Sequence, residues 1–260
     1  KLENLQRTGS FKIRGSSYLM SRLTAEERAR GVVAASAGNH AQGVALAARE
    51  LGIHATIFMP LGVPVPKLLA TRGYGADVIL QGPTVEEPLR LAAEFARETG
   101  AVLVHPFDHR DIVTGQGTLG LELFDECPEL DTVVLGIGGG GLIAGVAGAI
   151  KARAAAVGRT VRVIGVQAEN SAAYPASLAA GTPTTVTTRP TIADGIAVAR
   201  PGDIPFEMIR DLVDEVVTVS EDDIARALLV LMERAKLVVE PAGAVGVAAI
   251  LAGKVKASGT

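Results

Sequence analysis

Two glycine-rich loops and one lysine are the residues whose types and spacing could do chemistry. The segment GIGGGGLIAG (136–145) follows a strand-like apolar run and opens an alanine-rich helix. Its successive glycines leave backbone N–H groups unobstructed at a helix N-terminus, where the helix dipole also favours an anion. We therefore predict that a phosphate group binds at Gly138, Gly139, Gly140 and Gly141.

The same loop also fits a dinucleotide-binding pattern. Gly136, Gly138 and Gly141 have the spacing G-x-G-x-x-G, which favours an acidic residue at the end of the next strand, roughly 20 residues on. Here that strand ends at Gln167, and the nearest acid is Glu169. A nicotinamide-dependent oxidoreductase therefore stays open as an alternative.

The second loop, SAGNHAQG (36–43), has the same strand–loop–helix setting. Ser36, Asn39 and His40 could present a hydroxyl, an amide and a ring together with backbone donors to a small anion or a ring oxygen. An isolated asparagine here would instead be interpreted as a helix cap. Two such loops in one chain favour the binding interpretation.

Lys12 lies between Phe11 and Ile13 in GSFKIRG, a segment that we interpret as too short and mixed for an amphipathic helix. A lysine withdrawn from water has its charged form disfavoured, so its amine becomes a nucleophile near neutral pH and can form a Schiff base. The alternative is a solvated surface charge.

Short apolar runs alternate with helical patterns after Gly31, which predicts an α/β protein with a parallel sheet covered on both faces. The predicted strands are Val32–Ser36, His54–Met59, Ala76–Leu80, Ala101–His105, Thr132–Ile137, Val161–Val166 and Glu215–Val219. The predicted helices are Ala41–Leu51, Val85–Thr99, Leu142–Ala155, Asp222–Lys236 and Gly243–Leu251.

Composition narrows the class of ligand. The net charge is −3 without a basic block, so we do not expect nucleic acid or an anionic membrane as a partner. We expect small-molecule chemistry instead. One cysteine, Cys127, excludes an internal disulfide and fits a cytoplasmic location. The four histidines lack paired zinc spacing, and no apolar run is long enough to span a bilayer, so we predict no metal site and no membrane segment.

Six motifs in order, KLENLQRTGSFKIRG, SAGNHAQGVA, GQGTLGLEL, GIGGGGLIAG, TIADGIAV and KLVVEPAGAVG, resemble the threonine dehydratase (threonine ammonia-lyase) branch of pyridoxal-phosphate enzymes with the tryptophan-synthase-β fold. The resemblance covers nearly all of the chain. It implies pyridoxal 5′-phosphate as the cofactor, with Lys12 holding it as a Schiff base. The other implied cofactor contacts are Phe11 on the pyridine ring, Asn39 at the ring hydroxyl, Gly138, Gly139, Gly140, Gly141 and Leu142 at the phosphate, and Gly195 and Glu240 along the other edge.

The same resemblance implies that the substrate carboxylate binds at Ser36, Ala37, Gly38, Asn39 and His40. Lys12, freed by the substrate amine, would take the α-proton, and loss of the β-hydroxyl would convert threonine to 2-oxobutanoate and ammonia. A homo-oligomer and a place in amino acid metabolism, such as isoleucine biosynthesis, are also implied.

Serine racemases share most of these motifs, so the departures matter. The racemase-like pattern has a serine at the position of Ala37, and its divalent-metal site has acids at the positions of Gln167 and Ala173. We therefore expect elimination in preference to racemisation, and no metal of that type. A serine racemase or serine dehydratase remains the alternative within this fold.

We expect two lobes, with residues 31–107 forming the smaller one and residues 1–30 plus 108–260 the larger, and the cofactor in the cleft between them. The resemblance leads us to expect a further segment before residue 1 and a strand with SGGN after residue 260, so both ends of the larger lobe are expected to be truncated. A non-catalytic fragment that binds a ligand or a partner subunit is the third hypothesis.

Overall fold

The computed structural model describes residues 1–82, 86–256 and 259–260. These residues divide into two compact units, which we call the amino-terminal unit (Leu2–Gly115) and the carboxy-terminal unit (Gln116–Thr260, with Lys1). Each unit contains a parallel β-sheet with helices, so the predicted α/β class is confirmed. No helix in the described parts of the chain is long and apolar enough to cross a membrane.

The amino-terminal unit is built on a four-stranded parallel sheet of order β3-β2-β1-β4. Its strands are β1 (Val32–Ala35), β2 (Ala55–Met59), β3 (Asp77–Leu80) and β4 (Val102–Leu103). Its helices are α1 (Lys12–Ser21), α2 (Ala25–Arg30), α3 (Asn39–Leu51), α4 (Val65–Gly73) and α5 (Glu86–Thr99). Helix α6 (Arg110–Glu126) runs from this unit into the next.

Two buried clusters stabilise this unit. All residues of β1 and β2 are buried, as expected for parallel strands with apolar side chains on both faces. One cluster joins these strands to α1 and α3, and the other joins them to α5. The sheet therefore fixes the position of the loop that follows β1.

Helix α1 contradicts the prediction that the segment around Lys12 is not helical, because Lys12 is its first residue. The helix contains Gly15, Ser16 and Ser17, which have modest helix propensity, so its stability comes from packing on α3. A Cβ built on Gly43 would lie 3.0 Å from the backbone carbonyl carbon of Lys12. Glycine at position 43 thus lets the two helices approach closely.

The carboxy-terminal unit is built on a three-stranded parallel sheet of order β5-β6-β7. Its strands are β5 (Thr132–Gly136), β6 (Arg162–Ala168) and β7 (Glu215–Val219). Its helices are α7 (Gly141–Ala156), α8 (Ala173–Ala180), α9 (Asp203–Leu212), α10 (Glu221–Val230), which continues as a π-helical turn (Leu231–Ala235), and α11 (Pro241–Leu251). A buried cluster of β6, β7, α10 and α11 forms part of its core.

All seven predicted strands and all five predicted helices are confirmed, with ends that differ by up to two residues when the π-helical turn is counted with α10. The predicted helix start at Val85 lies outside the described residues. The alternating pattern also predicts helices between the strands without giving their ranges, and α4, α6, α8 and α9 lie in such positions. Helices α1 and α2 precede β1 and have no predicted counterpart.

The two compact units differ from the predicted lobes in where the first 30 residues belong. Residues 2–30 form one unit with β1 to β4, because α1 packs on α3 and Arg30 Nε donates a hydrogen bond to the Gly100 carbonyl at 2.8 Å. Residues 108–115 belong to the same unit. The lobe boundaries at residues 31 and 107 stay a prediction.

Candidate active site

Lys12 opens α1 with its amine held by a backbone carbonyl. Lys12 Nζ donates a hydrogen bond to the Pro106 carbonyl oxygen at 2.7 Å and lies 5.3 Å from the centroid of the Phe11 ring. Burial lowers the pKa of this amine from 10.5 to about 8, because the charged form loses its hydration. Lys12 is therefore a partly dehydrated amine with a defined orientation, as a nucleophile or base requires.

The Pro106 carbonyl is presented by a turn that His105 organises. The backbone N–H groups of Phe107 and Asp108 donate to His105 Nδ1 at 3.3 and 2.8 Å. A ring nitrogen that accepts two N–H groups carries no proton, so the neutral ring has its proton on Nε2. Burial, assisted by the positive charge of Lys12, lowers the pKa of His105 to about 4, although the charge of Asp108 opposes this shift.

The Ser36–His40 loop joins β1 to α3 at the carboxyl edge of the sheet. Ser36 N–H extends the strand pairing by donating to the Phe58 carbonyl at 3.1 Å, and Ser36 Oγ accepts from Gly38 N–H at 3.1 Å. Helix α3 starts at Asn39, with Gly38 as its N-cap residue. The reading of Asn39 as the helix cap is therefore wrong, and its side chain lies in the first turn, beside N–H groups that can bind an anion.

His40 faces the interior. Only 3% of its surface is exposed, and Nε2 donates to the Val104 carbonyl at 2.8 Å. Burial, followed by the positive charge of Lys12, lowers the pKa of His40 to about 3 although the bond to Val104 opposes this shift. His40 is thus neutral at physiological pH, and its ring anchors the loop to Val104, which follows β4, instead of adding a positive charge to the loop.

The glycine loop of the carboxy-terminal unit lies between β5 and α7. The first bond of the helical ladder runs from Ala144 N–H to the Gly140 carbonyl at 3.0 Å, so the N–H groups of Gly141, Leu142 and Ile143 precede the ladder. These donors lie at the positive end of the helix dipole. This arrangement fits a phosphate group, as the sequence predicts.

Two positions of this loop require glycine. Gly140 has φ +99°, and a Cβ built on it would overlap Tyr174 Oη and lie 2.8 Å from Ile209 Cδ1. A Cβ built on Gly138 would lie 3.2 Å from Ile196 Cα. The loop is thus packed so closely against its own unit that its accessible surface is backbone.

Gly195 lies near the start of α11, the helix that Glu240 caps. Glu240 is the N-cap residue of this helix, and its carbonyl accepts from Gly243 N–H at 2.8 Å. A Cβ built on Gly195 would lie 3.1 Å from Ala242 Cβ, and Ile196 is the residue that Gly138 contacts. The structure therefore brings the GGGG, ADGI and EPAG segments together within the carboxy-terminal unit.

The predicted residues fall into one group per unit. The amino-terminal unit holds Phe11, Lys12 and the Ser36–His40 loop, and the carboxy-terminal unit holds Gly138 to Leu142, Gly195 and Glu240. Sequence reasoning missed the Pro106 carbonyl, the His105 turn, and Lys67, whose Nζ would lie 3.6 Å from a Cβ on Gly38. It also missed two buried side chains behind the glycine loop, Gln167 and Tyr174.

A family model described as pyridoxal-phosphate dependent enzyme matches residues 1–260. An L-threonine ammonia-lyase from Thermotoga maritima is 54% identical over 251 residues, which are 96% of this chain and 62% of that protein. A catabolic L-threonine dehydratase from Escherichia coli is 47% identical over 254 residues, 98% of this chain and 76% of that protein. The chain thus spans less than two thirds of the first relative.

Solved structures share the same fold. The processed form of threonine deaminase isoform 2 from Solanum lycopersicum has a TM-score of 0.93 and 38% identity, covering 98% of this chain and 75% of that one. Solved serine racemases, among them the maize protein, are similar as well.

Proposed function

Because the chain belongs to the family of pyridoxal-phosphate-dependent enzymes, with a tryptophan-synthase-β-like fold, we propose that it is a threonine/serine ammonia-lyase. The family match selects pyridoxal 5′-phosphate over the nicotinamide cofactor that the glycine spacing left open. The observation that carries the proposal is Lys12, an amine with a pKa lowered to about 8 and a fixed orientation, in a chain 54% identical to a threonine ammonia-lyase.

The proposed cofactor contacts are those that the family resemblance implies. In the amino-terminal unit, Lys12 attaches the cofactor, Phe11 packs on its ring and Asn39 binds its ring hydroxyl. In the carboxy-terminal unit, Gly138, Gly139, Gly140, Gly141 and Leu142 hold its phosphate, with Gly195 and Glu240 along its other edge. The helix dipole and the unobstructed N–H groups support the phosphate assignment.

When bound, the cofactor supplies a conjugated ring that accepts the electron pair released at the substrate α-carbon. Lys12 Nζ takes the α-proton, because about a tenth of an amine with pKa 8 is neutral at pH 7. The Pro106 carbonyl orients Nζ. The Ser36–His40 loop binds the substrate carboxylate. Loss of the β-hydroxyl as water leaves an enamine, which takes up water to give 2-oxobutanoate and ammonia.

Racemisation is the second candidate, since solved serine racemases share the fold. It needs a proton donor on the face opposite Lys12, and the racemase-like pattern has a serine where this chain has Ala37. A methyl group donates no proton, which favours elimination. Gln167 and Ala173 likewise replace the acids of the racemase-like metal site.

We propose further that the enzyme acts in the cytoplasm as a homo-oligomer. The single cysteine fits a reducing compartment. The alanine-rich helices of the protein are compatible with subunit packing. A role in isoleucine biosynthesis is the finer proposal; the relative from Escherichia coli carries the word catabolic in its name, so either direction of metabolism fits the same chemistry.

The test is a visible spectrum coupled to a 2-oxo acid assay. The protein with pyridoxal 5′-phosphate should absorb in the visible, lose that band with borohydride, and form 2-oxo acid from threonine and serine. Lys12→Ala should be colourless and inactive. Lys151→Ala, at a lysine paired with Asp214 at 2.7 Å, is the matched control and should keep both properties.

Each alternative has its own outcome. D-serine without 2-oxo acid would support the racemase, and tight binding of a nicotinamide dinucleotide without the visible band would support the oxidoreductase. Cofactor binding without product from either substrate would overturn the catalytic proposal.

A further inference from the structure

Gln167 and Tyr174 form a buried polar pair directly behind the glycine loop. Both side chains have 0% of their surface exposed, although the other buried residues of strand β6, in which Gln167 lies, are apolar. Gln167 Nε2 donates to the Ile137 carbonyl at 3.3 Å and to the Ser171 carbonyl at 3.5 Å, and its Oε1 accepts from Tyr174 N–H at 2.8 Å. Tyr174 Oη donates to the Gly139 carbonyl at 3.2 Å.

These bonds fix the orientation of two peptide groups of the loop. In a trans peptide the C=O and the following N–H point in opposite directions, and the described residues contain no cis peptide bond. Because the Ile137 carbonyl faces Gln167, the Gly138 N–H points away from it. Because the Gly139 carbonyl faces Tyr174 and also accepts from Gly202 N–H at 3.1 Å, the Gly140 N–H points away from the core.

The two N–H groups set in this way are free to bind a ligand. Among the described residues, neither Gly138 nor Gly140 donates a backbone hydrogen bond. A flexible glycine loop could turn either N–H inward, since glycine has the widest backbone freedom. The bonds from Gln167 and Tyr174 to the carbonyls oppose that rotation.

We propose that Gln167 and Tyr174 are positioning residues that aim the Gly138 and Gly140 N–H groups at the cofactor phosphate, an inference that rests on the proposed function. Burying an amide and a phenol is unfavourable unless each is hydrogen-bonded, and here the partners are the loop carbonyls. The pair thus restricts the loop before an anion binds, so the loop loses less conformational freedom on binding.

The test compares two ligands that differ only in the phosphate. Apoprotein is titrated with pyridoxal 5′-phosphate and with pyridoxal, and the ratio of the two dissociation constants measures recognition of the phosphate. Both aldehydes can react with Lys12, so the ratio is independent of that step. Tyr174→Phe and Gln167→Met should each reduce the preference for the phosphorylated ligand on the order of five- to tenfold, as expected for loss of one aligned hydrogen bond.

Ser177→Ala is the matched control. Ser177 is also 0% exposed in α8 and donates to the Ala173 carbonyl at 2.8 Å, but its bonds do not reach the loop. The ligand ratio should therefore stay at the wild-type value. The ³¹P resonance of the bound phosphate should shift in Tyr174→Phe and Gln167→Met and not in Ser177→Ala.

The inference is overturned if Tyr174→Phe and Gln167→Met both keep the wild-type ratio of dissociation constants within about twofold. It is also overturned if both variants weaken the binding of the two ligands equally, as a purely structural role would. If one variant does not fold, the other decides by the same ratio. Wild-type protein that forms no visible band with either aldehyde would instead reject the proposed function.

Discussion

The candidate residues of the two units differ in the physical properties that suit them to chemistry. The amino-terminal unit contains ionisable side chains whose pKa values are lowered mainly by burial, to about 8 for Lys12, 3 for His40 and 4 for His105. In the carboxy-terminal unit the candidate phosphate-binding groups are backbone N–H donors of the glycine loop, supported by the neutral pair Gln167 and Tyr174. Reactivity here depends on withdrawing an amine from water, and anion recognition depends on backbone direction.

The difference predicts two kinds of sensitivity. Groups that titrate make a unit sensitive to pH, whereas a loop without side chains is sensitive to added volume. Equal responses of both units to pH and to added volume would contradict this distinction.

The largest effect is expected for Gly140→Ala. The added methyl group overlaps Tyr174 Oη, and φ +99° is unfavourable for alanine. We expect the free energy of unfolding to fall by about 2–4 kcal/mol and the affinity for pyridoxal 5′-phosphate to fall on the order of 100-fold because the loop must move. Thermal unfolding and cofactor titration measure the two effects.

Gly181→Ala is the control for backbone strain alone. Gly181 has φ +70°, and a Cβ there would meet no atom within 4 Å. We expect the free energy of unfolding to fall by about 1 kcal/mol and the affinity for the cofactor to stay unchanged. Equal effects of both substitutions would show that packing behind the loop is unimportant.

The second prediction concerns the pH dependence of Lys12. The rate at which pyridoxal attaches to the apoprotein should rise about tenfold per pH unit below pH 8 and level off above it, because only the neutral amine reacts. Stopped-flow absorbance measures this rate. A rate that keeps rising to pH 10 would mean that the amine has its ordinary pKa.

The same shift gives a stability signature. Between pH 8 and 10.5 the unfolded lysine binds a proton that the folded one has lost, so this group makes the free energy of unfolding increase with pH, by at most about 1.4 kcal/mol per unit. Lys12→Met should remove that increase.

A smaller effect is expected for Gly43→Ala in the amino-terminal unit. A Cβ here would lie 3.0 Å from backbone of Lys12 and 3.1 Å from Ile13 N, so α1 and α3 must separate. We expect the free energy of unfolding to fall by about 1–3 kcal/mol and pyridoxal to attach to Lys12 more slowly. Gly148→Ala in α7 is the control. The atom nearest to its added Cβ is the flexible Met208 Cε at 3.4 Å, so the higher helix propensity of alanine should raise the free energy of unfolding by up to about 1 kcal/mol. Equal losses in both variants would contradict the close α1–α3 contact.

The smallest effects are expected at two helix caps, one in each unit. Thr24 and Ser220 each accept a hydrogen bond from the third helical residue in a reciprocal capping box. Thr24→Ala and Ser220→Ala should each cost about 1 kcal/mol in denaturant unfolding. The visible spectrum and the ligand ratio should not change, and a change in either would reveal a coupling between caps and site.

The sequence predicts best those features that local interactions determine. Buried parallel strands are continuous apolar runs, so β1 and β2 could be recognised from VVAA and ATIFM. The glycine loop was equally predictable, because its N–H donors, its strand and its helix are all adjacent in the chain. The start of α1 could not be predicted from the local sequence, because close packing at Gly43 stabilises a segment with poor helix propensity.

Contacts between distant segments explain the remaining omissions. The Pro106 carbonyl lies 94 residues from Lys12, and a backbone carbonyl has no signature in the sequence. For Gln167 a signal existed, since a polar residue closes the apolar run VRVIGV. From the sequence alone Gln167 indicates only that an acid is absent at this position, because its bonds to Ile137 and Tyr174 depend on the fold.

The peptide group between Pro106 and Phe107 is bonded at both of its ends. Its oxygen accepts from Lys12, and its N–H donates to the His105 ring. One rigid amide plane therefore connects an imidazole to an amine. When the ring gains a proton near pH 4 it loses its acceptor lone pair, the plane is released to rotate, and the amine loses its alignment while the surrounding sheet can still be intact.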